Sequence, residues 1–543
     1  MSISRKEWIF VVLLALVVLL ITELPYVVGW LTSTPDWVFA GFVIDVDDAH
    51  SHLATMRQGY QGEWRYRILF TPEPHERAYI YTFFLALGHV ARLLNVEPFA
   101  VHHGARWIFG FLYLLTTYSF VAFFLPDVSR RRVAYVLICF SSGMGWLALL
   151  ASGSFVVGGI TPVDFWFIEM YSFFTVMLFP HTSLAVALLL TTFGLTLYYV
   201  ETGRWRAIVG AMASAIGVCL IHPFMLPVIA LVPGAYWLFI SLRRGFRFWA
   251  LPGLAALVLA PLPIVLYQYV AMIGNPIFAG WQAQNINLSP APWHYVLGYG
   301  IVFVLAIPGG WWALRQRERW PFLSLWLLIV APLLYAPVAF NLQRRVIEGV
   351  QVPLCILATI GLTCYVLPAV GRSRLAVNLA AYGYPPSRLE LLTRNLLVGL
   401  TLPSTLFLIL SASLVAASGA PDMFHSAGEI AAVDWLAANS SLDDTVLASY
   451  EMGGFIPPRI GHRVFMGHWT ETVDLANKRA AAGRFFGVAA DDERQAMLRQ
   501  YGIVYVLHGP RERALGGFDP AEVDYLTPVF THDDVRLYQV DMD

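Results

Sequence analysis

Long apolar runs, recurring from one end of the chain to about residue 417, constrain this sequence more than any other feature. They fall near 8–30, 101–125, 134–151, 182–200, 206–221, 223–242, 249–272, 297–314, 321–340, 353–370 and 395–417. A membrane-crossing helix needs roughly 17–25 mostly apolar residues. Most of these runs qualify, which predicts about eleven spans. The pair 206–221 and 223–242 is separated only by His222-Pro223, read as a tight turn because proline cannot continue a helix cleanly. Charged residues are 13% of the chain against about 25% in soluble domains, and hydrophobic residues are 58%. Mean hydropathy is +0.62. Lipid is therefore the solvent for most of this molecule. The first run follows Arg5 and Lys6 and is longer than the roughly 7–15-residue apolar core of a cleaved signal peptide, so it reads as a retained helix.

Net charge is −1, which gives no electrostatic footprint for nucleic acid. The four cysteines, Cys139, Cys219, Cys355 and Cys364, all lie in apolar runs and imply neither a disulfide framework nor a zinc site.

Arginine placement predicts orientation. Arg130–Arg132, Arg204 with Arg206, Arg243 with Arg244 and Arg247, Arg315 to Arg319, and Arg372 to Arg394 fall in alternate loops. Loops 152–180 and 273–296 hold no Lys or Arg. The positive-inside rule then puts the N-terminus in the cytoplasm and the C-terminal region outside. It also makes Ala78 to Leu94 an amphipathic helix lying on the outer surface rather than a span. The expected domains are 1–418, a transmembrane part with a long outer loop 31–100, and 419–543, a small extracytoplasmic α/β domain. In the latter, Gly428 to Ala438 and Asp491 to Gln500 read as helices. Thr445 to Ser449, Arg463 to Met466, Ile503 to Leu507 and Val535 to Val540 read as strands.

Polar residues that chemistry can use gather in the predicted outer loops. Asp45, Asp47 and Asp48 crowd three carboxylates into four positions just past the first helix. Their mutual repulsion needs relief from a cation, a donor or a shared proton. On a helix, Asp45, Asp48 and His52 share a face, and Asp48 and His52 stand one turn apart. A carboxylate here suits a general base acting on a hydroxyl. The other reading is a solvated loop with a helix-capping Asp.

Arg344 and Arg345 break the charge rule by lying in an outer loop, 341–351. Guanidinium matches phosphate with forked donors, so a lipid phosphate or diphosphate is the expected ligand; a headgroup anchor or an ion pair with Glu348 is the structural alternative. His181 and His222, near outer span ends, can donate to the same phosphate. Asp164 and Glu169 can hold sugar hydroxyls or, as hard oxygen ligands, Mg²⁺ or Mn²⁺, although no spacing demands a metal. In 461–472, Gly467 can adopt a backbone other residues avoid and so expose His468 and Trp469 to a substrate.

The order of these parts resembles the C-type superfamily of polytopic membrane glycosyltransferases, among them oligosaccharyltransferases, protein O-mannosyltransferases and lipid A aminoarabinose transferases. The resemblance lies in a first span, a long outer loop with an acidic motif at Asp45 to Asp48, surface helices around Asp47 to Gln58 and Ala78 to Leu94, many spans and an outer C-terminal domain. It covers essentially the whole chain.

The resemblance implies a sugar donor carried on a polyprenyl phosphate or diphosphate and a glycan, lipid or protein acceptor. It also implies inversion by a single displacement, Asp47 or Asp48 as base, and Arg344 or Arg345 on the donor phosphate. The Trp-Trp-Asp motif of oligosaccharyltransferases is absent, which argues against asparagine glycosylation. The rival classes are a transporter or flippase for a lipid-linked substrate, which would place charge near mid-span, and a non-catalytic assembly scaffold.

Overall fold

The computed structural model describes residues 3–337 and 341–541. Among the described residues, eight helices are long and apolar enough to cross a membrane: Arg5–Thr32, Pro98–Phe124, Pro180–Thr202, Pro223–Arg244, Phe248–Gly274, Pro292–Arg315, Gln351–Gly371 and Pro386–Ala417. The pair Val128–Phe140 and Gly145–Ser152, bent by 51°, is long and apolar enough when taken together. Trp205–Ile221 and Pro321–Leu333 are shorter apolar helices at two other expected spans. The end of the expected 321–340 span, 338–340, lies outside the described residues. The chain is thus a multi-pass helical membrane protein, with eleven as an approximate count of apolar crossings.

Contacts divide the chain into two units. The first comprises Met1–Leu24, Ala105–Leu266 and Asn287–Ser411. Its few buried charges are neutralised locally, as an apolar solvent demands. Glu7 accepts from Arg131 at 2.7 Å and from the Tyr118 hydroxyl at 2.9 Å, while Glu23 pairs with Arg106 and Trp107.

The second unit comprises Pro25–Gly104, Tyr267–Ile286 and Ala412–Asp543. It therefore joins most of the first loop to the C-terminal region. A two-stranded antiparallel ladder ties them: β1 (Trp37–Phe39) pairs with β2 (Phe424–Ser426) in the register Val38 to His425. The remaining strands are β3 (Thr445–Leu447), β4 (Arg463–Val464), β5 (Ile503–His508), β6 (Leu526–His532) and β7 (Val535–Val540). They form one mixed sheet in the order β4-β3-β5-β7-β6. β3 is parallel to β4 and β5, and β7 is antiparallel to β5 and β6.

Helix Val46–Tyr60 is the pivot of this unit. It is buried along most of its length, although its own composition is only weakly amphipathic. It crosses helix Thr82–Leu94 so closely that a Cβ on Gly88 would lie 2.0 Å from the Met56 carbonyl oxygen, and one on Gly59 2.2 Å from that of Leu85. Gly88 looks like an interruption of an apolar run in the sequence. In the fold it is what lets the two backbones touch.

Candidate functional site

The acidic motif sits at the start of helix Val46–Tyr60. Asp45 precedes the helix with φ 53° and ψ 49°, a left-handed conformation that Asp tolerates better than most residues. Its side chain makes no capping bond, contrary to the capping alternative. It does not continue the helix, so the common face expected for Asp45, Asp48 and His52 is not formed. Asp47 and Asp48 occupy the first turn, where the helix dipole favours negative charge and offsets their repulsion.

The two carboxylates have different surroundings. Asp48 is held by nitrogen donors: Trp469 Nε1 donates to its Oδ1 at 3.1 Å, and His468 Nε2 lies 3.3 Å from the same oxygen. Asp47 Oδ2 accepts from the Tyr450 hydroxyl at 2.6 Å. Burial pushes the pKa of Asp47 up; the Tyr450 phenol opposes this, while Asp48 and Asp422 add to it. Asp47, not Asp48, lines a cavity of about 530 Å³, a size suited to a small ligand. Asp45, His50, Asp422, His425, Tyr450, Glu451, Trp469 and Arg479 are also in its wall. The Arg479 guanidinium carbon lies 4.0 Å from the centre of the Tyr450 ring.

The loop behind this pair is built rather than loose. His468 is 3% exposed, so it is not displayed to substrate as the sequence suggests; Trp469, at 41%, is. Gly467 is not in a left-handed conformation. Its role is close approach, since a Cβ there would lie 2.2 Å from the Gly453 carbonyl carbon. The Thr472 hydroxyl accepts from the backbone N–H of Gly467 and of His468, both at 3.1 Å. Gln284 donates to the Thr470 and Thr472 carbonyls at 2.8 and 3.0 Å. Glu471, 1% exposed, accepts from Ser51 and from the Tyr66 hydroxyl.

Two influences on His468 conflict. Against the cost of burial, Glu471, Asp48 and Asp47 hold its pKa up, at about 9. Yet the backbone N–H groups of Thr470 and Glu471 point at Nδ1 from 3.2 and 3.0 Å, so Nδ1 serves as an acceptor. The geometry decides: the ring carries its proton on Nε2, aimed at Asp48, and a second proton on Nδ1 would break both amide bonds.

His52 stacks on Phe84 with ring centres 4.1 Å apart, and is 6% exposed. It belongs to the contact between helices Val46–Tyr60 and Thr82–Leu94.

The other candidate residues lie in the first unit. Arg344 donates from Nε to Asn287 Oδ1 at 2.9 Å and lies over Trp166 and Phe167, at 4.8 and 4.7 Å from the ring centres. Arg345 pairs with Glu169 at 3.5 Å. Glu348 is bound not by an arginine but by His222 Nδ1, at 2.8 Å, and both are buried. Burial pushes the Glu348 pKa up against the pull of His222, with Arg345 also lowering it. His181 meets His222 edge-on at 5.2 Å. The structure thus gathers Arg345, Glu169, His181 and His222 around Glu348. Asp164 stands apart: it is 3% exposed and accepts from the Gly145 backbone N–H at 2.9 Å, fixing the bend of the broken helix pair.

Among the described residues, no group of three or more His, Cys, Asp or Glu side chains is placed to hold a metal ion. Asp47 and Asp48 meet hydroxyl and N–H donors rather than each other.

Tyr450, Arg479, Asp422, His425 and Glu451 escape a reading of the sequence. Each lies hundreds of residues from Asp47 and carries no motif; the residue before Tyr450, Ser449, is only a helix cap, accepting from the Met452 N–H at 3.4 Å.

No protein-family model matches the sequence, and no curated protein matches it. Solved structures do. The apo oligosaccharyltransferase of Archaeoglobus fulgidus aligns with 93% of this chain and 70% of its own length, at 14% identity and TM-score 0.53. The same enzyme tethered to an acceptor peptide containing the NVT sequon aligns over 93% and 69%, at 14% identity and TM-score 0.52. Its complex with an inhibitory peptide and a dolichol-phosphate aligns over 93% and 70%, at 13% identity and TM-score 0.52. At such identities the likeness concerns the fold. The chain is a polytopic membrane protein with the fold of the C-type membrane glycosyltransferases.

Proposed function

We propose that this protein is a membrane glycosyltransferase that moves a sugar from a polyprenyl phosphate or diphosphate to an acceptor hydroxyl on the extracytoplasmic side. The observation that carries the proposal is the Asp47 carboxylate, facing a cavity and held at one oxygen by Tyr450. A base must reach its proton while keeping a free oxygen and a raised proton affinity, and burial of Asp47 supplies the latter. In the proposed step the acceptor oxygen attacks the anomeric carbon, its proton passes to Asp47, and the bond to the phosphate oxygen breaks. The sugar inverts and the polyprenyl phosphate departs. Asp48 acts as an anchor that fixes the helix start through His468 and Trp469. Arg344 and Arg345 are proposed to hold the donor phosphate, with His181 and His222 beside them. The A. fulgidus neighbour, solved in complex with a dolichol-phosphate, supports a polyprenyl carrier by analogy of fold.

The test is transfer from short-chain polyprenyl-phosphate sugars by the purified full chain. Asp47→Asn is expected to lower turnover about 10²–10⁴-fold with donor binding kept, and Asp48→Asn to lower it less. Full activity in Asp47→Asn would remove the base. A flippase would instead translocate donor normally in that variant and release no transferred sugar in the wild type.

A further inference from the structure

The cavity beside Asp47 is unbalanced in charge. Asp45, Asp47, Asp422 and Glu451 line it, and Arg479 is the only Arg or Lys among its described lining residues. His50 and His425, also in the wall, do not offset this excess. Burial holds the His50 pKa down to about 3, and burial pushes His425 down as well. Asp422 and Glu451 are exposed and form no ion pair among the described residues.

A second observation points to a ligand. His425 is 2% exposed, and its Nε2 has no hydrogen-bond partner among the described residues. A buried nitrogen without a partner is costly, and a ligand hydroxyl would satisfy it. Trp469, 41% exposed, adds an aromatic face. Carboxylates, aromatic faces and one vacant hydrogen-bonding nitrogen together favour a polyhydroxyl compound with positive charge and repel an anion.

We propose that this cavity selects an acceptor bearing a protonated amine near its reacting hydroxyl, an amino sugar being the simplest such compound. This rests on the cavity being the acceptor side of the transferase. Asp422 and Glu451 set the preference without taking part in the chemistry, each contributing about three- to tenfold at low ionic strength.

The probes are methyl β-D-glucosaminide, methyl β-D-glucoside and methyl β-D-glucuronide, alike in shape and differing in charge. Their binding to the full chain in detergent is measured by saturation-transfer NMR at mildly acidic pH, where the amine is protonated. The glucosaminide is expected to bind tightest and the glucuronide weakest. The spread should shrink with added salt, and should narrow about three- to tenfold in Asp422→Asn and in Glu451→Gln. Equal binding of glucosaminide and glucoside at low salt overturns the proposal. So does a preference that survives the double variant, once its unfolding midpoint matches the wild type.

With a polyprenyl-phosphate glucose donor, the glucosaminide should itself be glucosylated. If it only competes with the donor while the glucoside is glucosylated, the amine belongs to the donor and the assignment fails. Binding in the expected order with no transfer to any acceptor sinks the transferase reading, while the preference for a cationic sugar stands.

Discussion

Replacing Tyr450 by Phe tests the proposed base through one hydrogen bond. The hydroxyl donates to Asp47 Oδ2 at 2.6 Å, while Arg479 contacts the ring, which Phe keeps. A hydrogen bond to a charged group is worth about 1.5–3 kcal/mol. It stabilises the carboxylate and not the acid, so its loss should raise the Asp47 pKa by about one to two units, at about 1.4 kcal/mol per unit. The sign follows directly. A base works deprotonated, so transfer fails as pH falls through its pKa, and that pKa is already raised by burial. In Tyr450→Phe the acidic limb of the kcat/KM profile should move to higher pH by about one to two units, with the plateau nearly unchanged. Initial rates of transfer at acceptor concentrations well below KM, across the acidic range, measure it. An unmoved limb together with a lowered plateau would show that Asp47 is not the titrating base and that Tyr450 acts by packing or on substrate.

Other consequences are independent of that profile. A carboxylate whose folded pKa lies above its unfolded value stabilises the fold at low pH and loses that contribution as pH rises through the folded pKa. Asp47→Asn should therefore raise the thermal unfolding midpoint at neutral pH even as transfer falls; a lowered midpoint would contradict the burial argument. Gly88→Ala forces a methyl against the Met56 carbonyl oxygen and should cost about 1–3 kcal/mol in thermal unfolding, with transfer reduced because Asp47 rides on the displaced helix. His222→Ala leaves Glu348 buried without its hydrogen bond and should cost about 1–3 kcal/mol, largely restored by His222→Ala with Glu348→Leu. Arg345→Gln should raise the donor KM about tenfold with little change in acceptor KM, since a guanidinium–phosphate contact is worth roughly 1.4 kcal/mol or more.

Some of this was legible because it is local. Apolar runs of span length need no tertiary context, and helix Ala427–Asn439 and strands Ile503–His508 and Val535–Val540 follow the expected boundaries within a residue or so. Helix Tyr450–Ile460 was missed because Gly453-Gly454 and Pro457-Pro458 make it a poor helix by composition, and packing overrides that propensity. Strand Leu526–His532 was missed because Pro528 interrupts it. Proline is tolerated there because β6 is an edge strand.

The sequence by itself determined that lipid is the main solvent, that carboxylates crowd together after the first helix, and that two arginines stand in a late loop. Each is a property of neighbouring residues. Only the tertiary structure decided which carboxylate faces a cavity and what surrounds it. Tyr450 reaches Asp47 across 403 positions and His468 reaches Asp48 across 420, through a β1–β2 ladder and helix crossings whose partners are set by burial and backbone fit. Such pairings leave no periodicity in a single chain, because the physical interactions that select them exist only once distant segments are packed together.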